Sequence, residues 1–149
     1  MIKESLLQIV MAGIGTLGFS IYFRVRERNV VASTAAGIIS WAIYLVIFHF
    51  SQQLFLANFT AAFLVYIYAE IMARVLKAPS NIFLIPGIIP LLPGGALYYT
   101  MQSIVEGDRG TAIYQGTQTA IITVGIAAGI VVGTVLFYYI VQISSKKKS

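Results

Sequence analysis

The sequence contains no cysteine, one histidine and few charged residues. The lack of cysteine excludes disulfides, thiolate metal sites and a cysteine nucleophile, and a single histidine, His49, excludes a histidine-rich metal site within the chain. Charged residues make up 10% of the 149 positions, whereas hydrophobic residues make up 58%. The mean hydropathy of +0.86 lies far from the balance of a soluble domain and predicts an integral membrane protein.

Enzyme signatures are also missing. The sequence has no H-E-x-x-H, G-x-S-x-G or P-loop motif, and no carboxylate pair within an apolar run. We therefore expect no enzyme activity, no cofactor and no metal site, and any active transport must draw on an ion gradient or a partner chain. The segment 13–18 fits G-x-G-x-x-G, but no strand precedes it, so close packing between membrane helices explains it better than a dinucleotide site.

Five apolar runs lie between short charged patches, and each is long enough to cross a bilayer. We predict an all-α integral membrane protein, a single transmembrane domain over 1–149, whose fourth span is broken by a Pro/Gly-rich motif. The first run ends in arginines without a small-residue cleavage site, which indicates a retained helix and not a signal peptide. The predicted spans are roughly 5–23, 30–50, 54–76, 81–105 and 111–143.

Basic residues alternate between the two sides of these five spans. With the amino terminus outside, the inner segments hold eight of the ten basic residues, and only Lys3 and Arg109 remain outside. This asymmetry predicts a multi-pass protein of the cytoplasmic membrane with the amino terminus outside and the carboxy terminus in the cytoplasm. The net charge of +5 is thus a topology signal flanking lipid-embedded spans and does not indicate a nucleic-acid partner.

The segment 86–95 organises the chain, because three prolines and three glycines fall within its ten residues. Pro86, Pro90 and Pro93 each remove a backbone donor, so one interpretation is a kink that serves packing alone. The other is a discontinuous helix whose second half begins near 93–96, where Gly94 and Gly95 leave amide groups open to a carboxylate. Unwound carbonyls nearby would suit an ammonium group.

Three further side chains are candidates for a substrate path. Tyr98 follows the break, where ordinary packing is as good an explanation as a substrate contact. Glu70 is the one acidic residue inside a span, which favours a proton or substrate role, but Arg74 one turn later favours a structural ion pair. Asn58 could line the outer half of a path or bond between helices.

The last span carries Gly125, Gly129 and Gly133 on one helix face. This small-residue face could pack inside the chain or form a surface for a partner.

The chain resembles the threonine/serine exporter family (ThrE type), and within it the small five-span subunit of the two-component form (YjjB type). The resemblance rests on 86–100, with Pro90, Pro93, Gly94 and Tyr98 at its core, and extends diffusely over the whole chain. It implies proton-driven export of threonine and serine or small dicarboxylates, and a larger five-span partner with a cytosolic domain that this chain does not contain. A homo-oligomer is the alternative assembly.

Our leading hypothesis is therefore a transporter subunit that exports small carboxylated metabolites, with half of a midplane site at the break. The rival is a membrane scaffold or assembly subunit that transports nothing.

Overall fold

The computed structural model describes residues 2–146, which are helical apart from short turns. This part of the chain confirms the predicted all-α class. Lys147 and Lys148, which contribute to the predicted orientation, lie outside the described residues. The elements are α1 (Ile2–Tyr22), α2 (Glu27–Ser51), α3 (Leu54–Leu76), α4 (Asn81–Ile88), a 3-10 turn (Ile89–Leu91), α5 (Gly94–Glu106) and α6 (Arg109–Lys146).

Four helices, α1, α2, α3 and α6, are each long and apolar enough to cross a membrane. The segment formed by α4 and the 3-10 turn qualifies together with α5, and the two parts are bent by 51°. Such a pair is either one broken span or a re-entrant loop. The described chain therefore has four or five candidate spans.

The turns between helices use left-handed residues to close the helix ends. Arg24, Gln52 and Lys77 have φ values of 54°, 52° and 50°, and Gly107 ends α5 with φ 79°. This conformation lets the last carbonyls of a helix accept hydrogen bonds from the turn. Asp108 caps the start of α6, and hydrogen bonds from Thr111 lower the pKa of its carboxyl below its usual value.

The glycine face of α6 packs inside the chain, against α3. A Cβ added at Gly125 would lie 3.0 Å from the Phe55 carbonyl oxygen, and one added at Gly129 would lie 2.5 Å from the Phe59 carbonyl oxygen. Gly133 continues the row. Numbering rises along both helices, so α3 and α6 run parallel. The row of glycines is therefore an internal contact, and the alternative of a partner surface is not needed to explain it.

The first part of α6 extends beyond the start of α3, because Gly125 is already level with Phe55 in the first turn of α3. This part pairs with α5, whose main contacts are with α6. A Cβ added at Gly116 would lie 3.5 Å from the Thr100 methyl group, which fixes the register of this pair. We call α5 and the first part of α6 the outer hairpin.

Small residues also set the contacts of α2 with α1 and α4. A Cβ at Gly37 would overlap the Thr16 side chain of α1, so the two backbones approach closely there. A Cβ at Gly87 of α4 would lie 2.8 Å from the Ala36 Cβ and 2.9 Å from Val65 Cγ1. The first half of the bent pair is therefore held against α2 and α3.

The packing explanation for the G-x-G-x-x-G segment holds for one of its three glycines. A Cβ at Gly13 would lie 3.0 Å from Ile38 Cγ1. Gly15 and Gly18 are exposed on α1, and a Cβ added at either would meet no atom of the chain within 4 Å, so that interpretation is wrong for these two positions within this chain.

We predict that Gly129→Ala destabilises the protein by about 1–3 kcal/mol, because its Cβ meets the backbone of α3 and neither helix backbone can yield locally. Thermal unfolding in detergent measures the effect. Gly15→Ala is the matched control: its Cβ enters open space, and alanine is the better helix former by about 0.5–1 kcal/mol. Equal stability of the two variants would contradict the packing of α6 on α3.

Candidate functional site

The bent pair changes direction between Ile88 and Gly94. The 3-10 turn places Leu91 in the core, and Leu92 is extended with ψ 135°. Pro93 occupies the position before the first residue of α5, which begins at Gly94. Each of the three prolines should leave unpaired the carbonyl four residues earlier, those of Ile82, Pro86 and Ile89.

Two of these three carbonyls accept hydrogen bonds from within the turn itself. The Ile89 N–H donates to the Pro86 carbonyl, and the Leu92 N–H donates to the Ile89 carbonyl at 3.1 Å. Both bonds join residues that are three positions apart, which is the spacing of a 3-10 helix. The turn therefore supplies hydrogen-bond donors to the two carbonyls that Pro90 and Pro93 leave unpaired. Each of these carbonyls keeps at most one lone pair for an ammonium ligand.

The third carbonyl is satisfied from another helix. The Ser33 hydroxyl of α2 contacts the Ile82 carbonyl at 3.2 Å and the Ser20 hydroxyl of α1 at 2.8 Å. The Ser20 hydroxyl also lies 2.8 Å from the Thr16 carbonyl, and both serines are fully buried. Each hydroxyl has a single proton, so in the arrangement that pairs the Ile82 carbonyl, Ser33 donates to that carbonyl and accepts from Ser20. Ser33 thus joins α1, α2 and α4 at the acceptor released by Pro86. Ser33 lies within the second predicted span, 30–50, and its position in the sequence does not indicate this role.

The start of α5 is open. Gly94 and Gly95 are exposed, and no atom of the chain lies within 4 Å of a Cβ built on either. No side chain caps this end; the Gly94 N–H donates to the Leu92 carbonyl at 2.8 Å. The next two amides, those of Gly95 and Ala96, have no acceptor within α5, as in any helical first turn. They carry the positive end of the helix dipole and suit a carboxylate.

The surroundings of the turn are largely apolar. Leu91 belongs to a core cluster with Ala61, Ala62 and Ile126, against which Trp41 packs. The Trp41 indole nitrogen is buried and has no acceptor among the described residues. A buried donor without a partner is costly, and the described part of the chain offers none for this nitrogen. Trp41 is the one tryptophan of the sequence and lies within the second predicted span.

Tyr98 lies one helical turn after Gly94, and its side chain is 64% exposed. It contacts the neighbouring Tyr99 edge to face, with ring centroids 5.4 Å apart, on the outside of the outer hairpin. Pro90 and Pro93 are partly buried in the turn. The structure thus brings Pro90, Pro93, Gly94 and Gly95 together, with Tyr98 one turn away on a surface this chain leaves open.

Asn58 lies in the interface between α3 and α6. Its side chain is 2% exposed and donates to the Leu54 carbonyl of its own helix at 2.8 Å. It sits one turn from Ala61, which packs with Leu91. Asn58 is therefore near the level of the turn, but its hydrogen bond to Leu54 is a local one that serves helix packing.

Glu70 lies far from the turn, twelve residues or about 18 Å along α3 from Asn58. Its carboxylate accepts a hydrogen bond from Arg74 at 3.0 Å and lies 3.4 Å from the Tyr66 hydroxyl. The Arg74 guanidinium stacks on the ring of Phe137 of α6 at 4.2 Å. Among the described residues no group of three or more His, Asp or Glu side chains could hold a metal ion.

We predict that Ser33→Ala lowers the free energy of unfolding by about 1–3 kcal/mol, since the Ile82 carbonyl then loses its donor in a buried place. Ser40→Ala is the matched control, because Ser40 is equally buried but donates within α2, to the Gly37 carbonyl. Denaturation in detergent compares them. Equal losses in both variants would contradict the proposed role of Ser33 at the break.

No solved structure matches this chain. A family model does match it, over residues 8–136, which is most of its length and includes every element that forms the turn. The family is described as "Threonine/Serine exporter, ThrE". An exporter family agrees with the apolar helices and open turn described above, and on this match the chain belongs to the threonine/serine exporter family.

Proposed function

We propose that this chain is a subunit of a secondary transporter that exports small carboxylated metabolites, threonine and serine or small dicarboxylates, across the cytoplasmic membrane with the proton gradient. Membership of the family makes it an amino acid exporter-type transporter subunit. The binding of a carboxylate rests on one observation: the open, uncapped first turn of α5, directly after a bend within apolar surroundings. The substrates and the proton gradient are what the resemblance to the family implies.

A carboxylate fits this turn better than a cation does. The amides of Gly95 and Ala96 supply donors at the positive end of α5, and no side chain of the chain covers them. The carbonyls released by Pro90 and Pro93 already accept one hydrogen bond each. Pro90 and Pro93 shape the turn, Gly94 and Gly95 give access, and Tyr98 borders it.

The direction of the helices supports one broken span and a total of five. If α4 and α5 formed a re-entrant loop, α6 would begin on the side where α3 ends and would run antiparallel to it. The glycine register makes the two helices parallel. A crossing by α4 and α5 would give that result. Together with the distribution of basic residues, it supports the proposed orientation, with the amino terminus outside and the carboxy terminus inside.

A partner would complete the site, because α5 leaves its far side uncovered. Its main contacts are with α6, and Leu97, Tyr98 and Met101 are exposed. The larger five-span subunit of the same family, with its cytosolic domain, fits this role, and a ten-span assembly of two halves follows the common design of carriers. A second copy of this chain is the other arrangement.

We expect Gly94→Leu and Gly95→Leu to fold normally, because a Cβ at either position meets no atom of the chain within 4 Å. Both should lower export at least tenfold, because the leucine side chain would cover the open amides. Gly15→Leu on α1 is the matched control, since its Cβ is equally open. Efflux of labelled threonine, serine and succinate is measured from preloaded cells lacking their own exporters, with the chain alone and with the five-span partner. Full export by both variants would contradict a substrate site at the turn.

The same experiment separates the rival hypothesis. A scaffold predicts no efflux in any pairing despite stable insertion, and it predicts that changes at the turn affect copurification with the partner. Efflux from this chain alone would indicate a homo-oligomeric carrier.

We propose that Glu70 lies outside the substrate path, because its carboxylate already accepts hydrogen bonds from Arg74 and Tyr66. Glu70→Gln is expected to retain at least half of wild-type export with the same pH dependence. It should lose no more than about 1 kcal/mol of stability, because the Arg74 side chain of the pair is 53% exposed. Arg74→Gln is the control for loss of the pair. Lost export at normal abundance in Glu70→Gln alone would instead support a proton or substrate role.

A further inference from the structure

A second site lies at the opposite end of α4 from the open turn. There the turn between α1 and α2 approaches the start of α4 and encloses a cavity of about 330 Å³. Its wall is largely apolar, formed by Phe23, Ile82, Ile85 and Pro86, and Arg24 and Arg26 stand at its edge. Ile85 is 46% exposed, so the apolar wall of the cavity is continuous with the surface of the bundle.

The two arginines at this cavity have no acidic partner among residues 2–146. Glu27 lies in the same turn, yet in the described part of the chain neither guanidinium forms an ion pair with it or with another carboxylate. Arg28, by contrast, donates to the Leu76 carbonyl at 2.9 Å and ties this turn to the end of α3. Arg24 and Arg26 are therefore free to bind an anion at the edge of an apolar cavity.

A cavity that is apolar inside, cationic at the edge and continuous with the surface of the bundle matches one chemistry. Guanidinium groups bind phosphate in a bidentate manner, and an acyl chain suits a wall of Phe, Ile and Pro. Basic pockets between membrane helices on the cytoplasmic side bind anionic head groups. We propose that this cavity holds one anionic phospholipid, its phosphate on Arg24 and Arg26 and the upper part of one chain against Ile85 and Pro86.

The bound lipid has a structural effect. It touches the turn that directly follows α1 through Phe23, and α4 through Ile82 and Pro86. Ser33 joins α1 and α4 on the buried side. It therefore helps to hold the first half of the bent pair in place. The proposal does not depend on the substrate or on export.

Native mass spectrometry of the purified chain tests the site, with phosphatidylglycerol and phosphatidylcholine of identical acyl chains offered at equal concentration. We expect one phosphatidylglycerol retained in preference to phosphatidylcholine. The variant Arg24→Gln/Arg26→Gln should weaken its retention about thirtyfold, near fivefold per charge. Arg109→Gln, which removes a charge at the other end of the bundle, is the control and should change nothing. Equal retention of both lipids by the wild type would overturn the proposal.

Two further arms separate the lipid from a soluble anion. Ile85→Trp fills the apolar wall and leaves both arginines, so it should reduce lipid retention while a phosphate ion could still bind. Competition with inorganic phosphate or succinate at millimolar concentration should not displace phosphatidylglycerol. Displacement by either anion would indicate a small soluble ligand in place of the lipid. Full lipid retention by Ile85→Trp would contradict the binding of an acyl chain in the cavity.

Discussion

Backbone hydrogen bonding within lipid is the constraint on which this structure depends. A membrane offers no water to pair with a carbonyl that a proline has released, so each such acceptor needs a partner from the protein. Here two are paired by the 3-10 turn and the third by Ser33. The bend between α4 and α5 is therefore a satisfied structure and not a defect, and it can persist while leaving the following helix start open.

Close backbone approach is the second element of the design. Glycines at 37, 87, 125 and 129 each bring one helix against another where a methyl group would not fit. In lipid such contacts replace the hydrophobic effect as the source of helix association. Gly94 and Gly95 differ from all of these, because they face open space. The same residue type thus serves packing at one set of positions and access at another, and only three-dimensional context separates them.

Much of the fold could be predicted from the sequence, because hydropathy and turn residues carry it. The third predicted span, 54–76, coincides with α3, and the other boundaries differ by a few residues. The donor for the Ile82 carbonyl could not be predicted, since Ser33 lies 49 residues away in sequence and any polar residue of three spans could have filled the role. Nor could the different environments of Gly13 and Gly18 be told apart, because one helix face borders a neighbour and the other does not.

The glycine contact of α6 on α3 also determines how far a tilt of α6 would displace its first residues. Sixteen residues of α6, Arg109 to Val124, extend past the contact at Gly125, a lever arm of about 24 Å. A tilt of about 10° around that contact would move the Arg109 end by about 4 Å. Because Thr100 and Gly116 are paired in an antiparallel hairpin, Gly94 is level with Ile122, close to the contact at Gly125. Such a tilt would therefore displace the Arg109 end of the hairpin and leave the open turn almost in place.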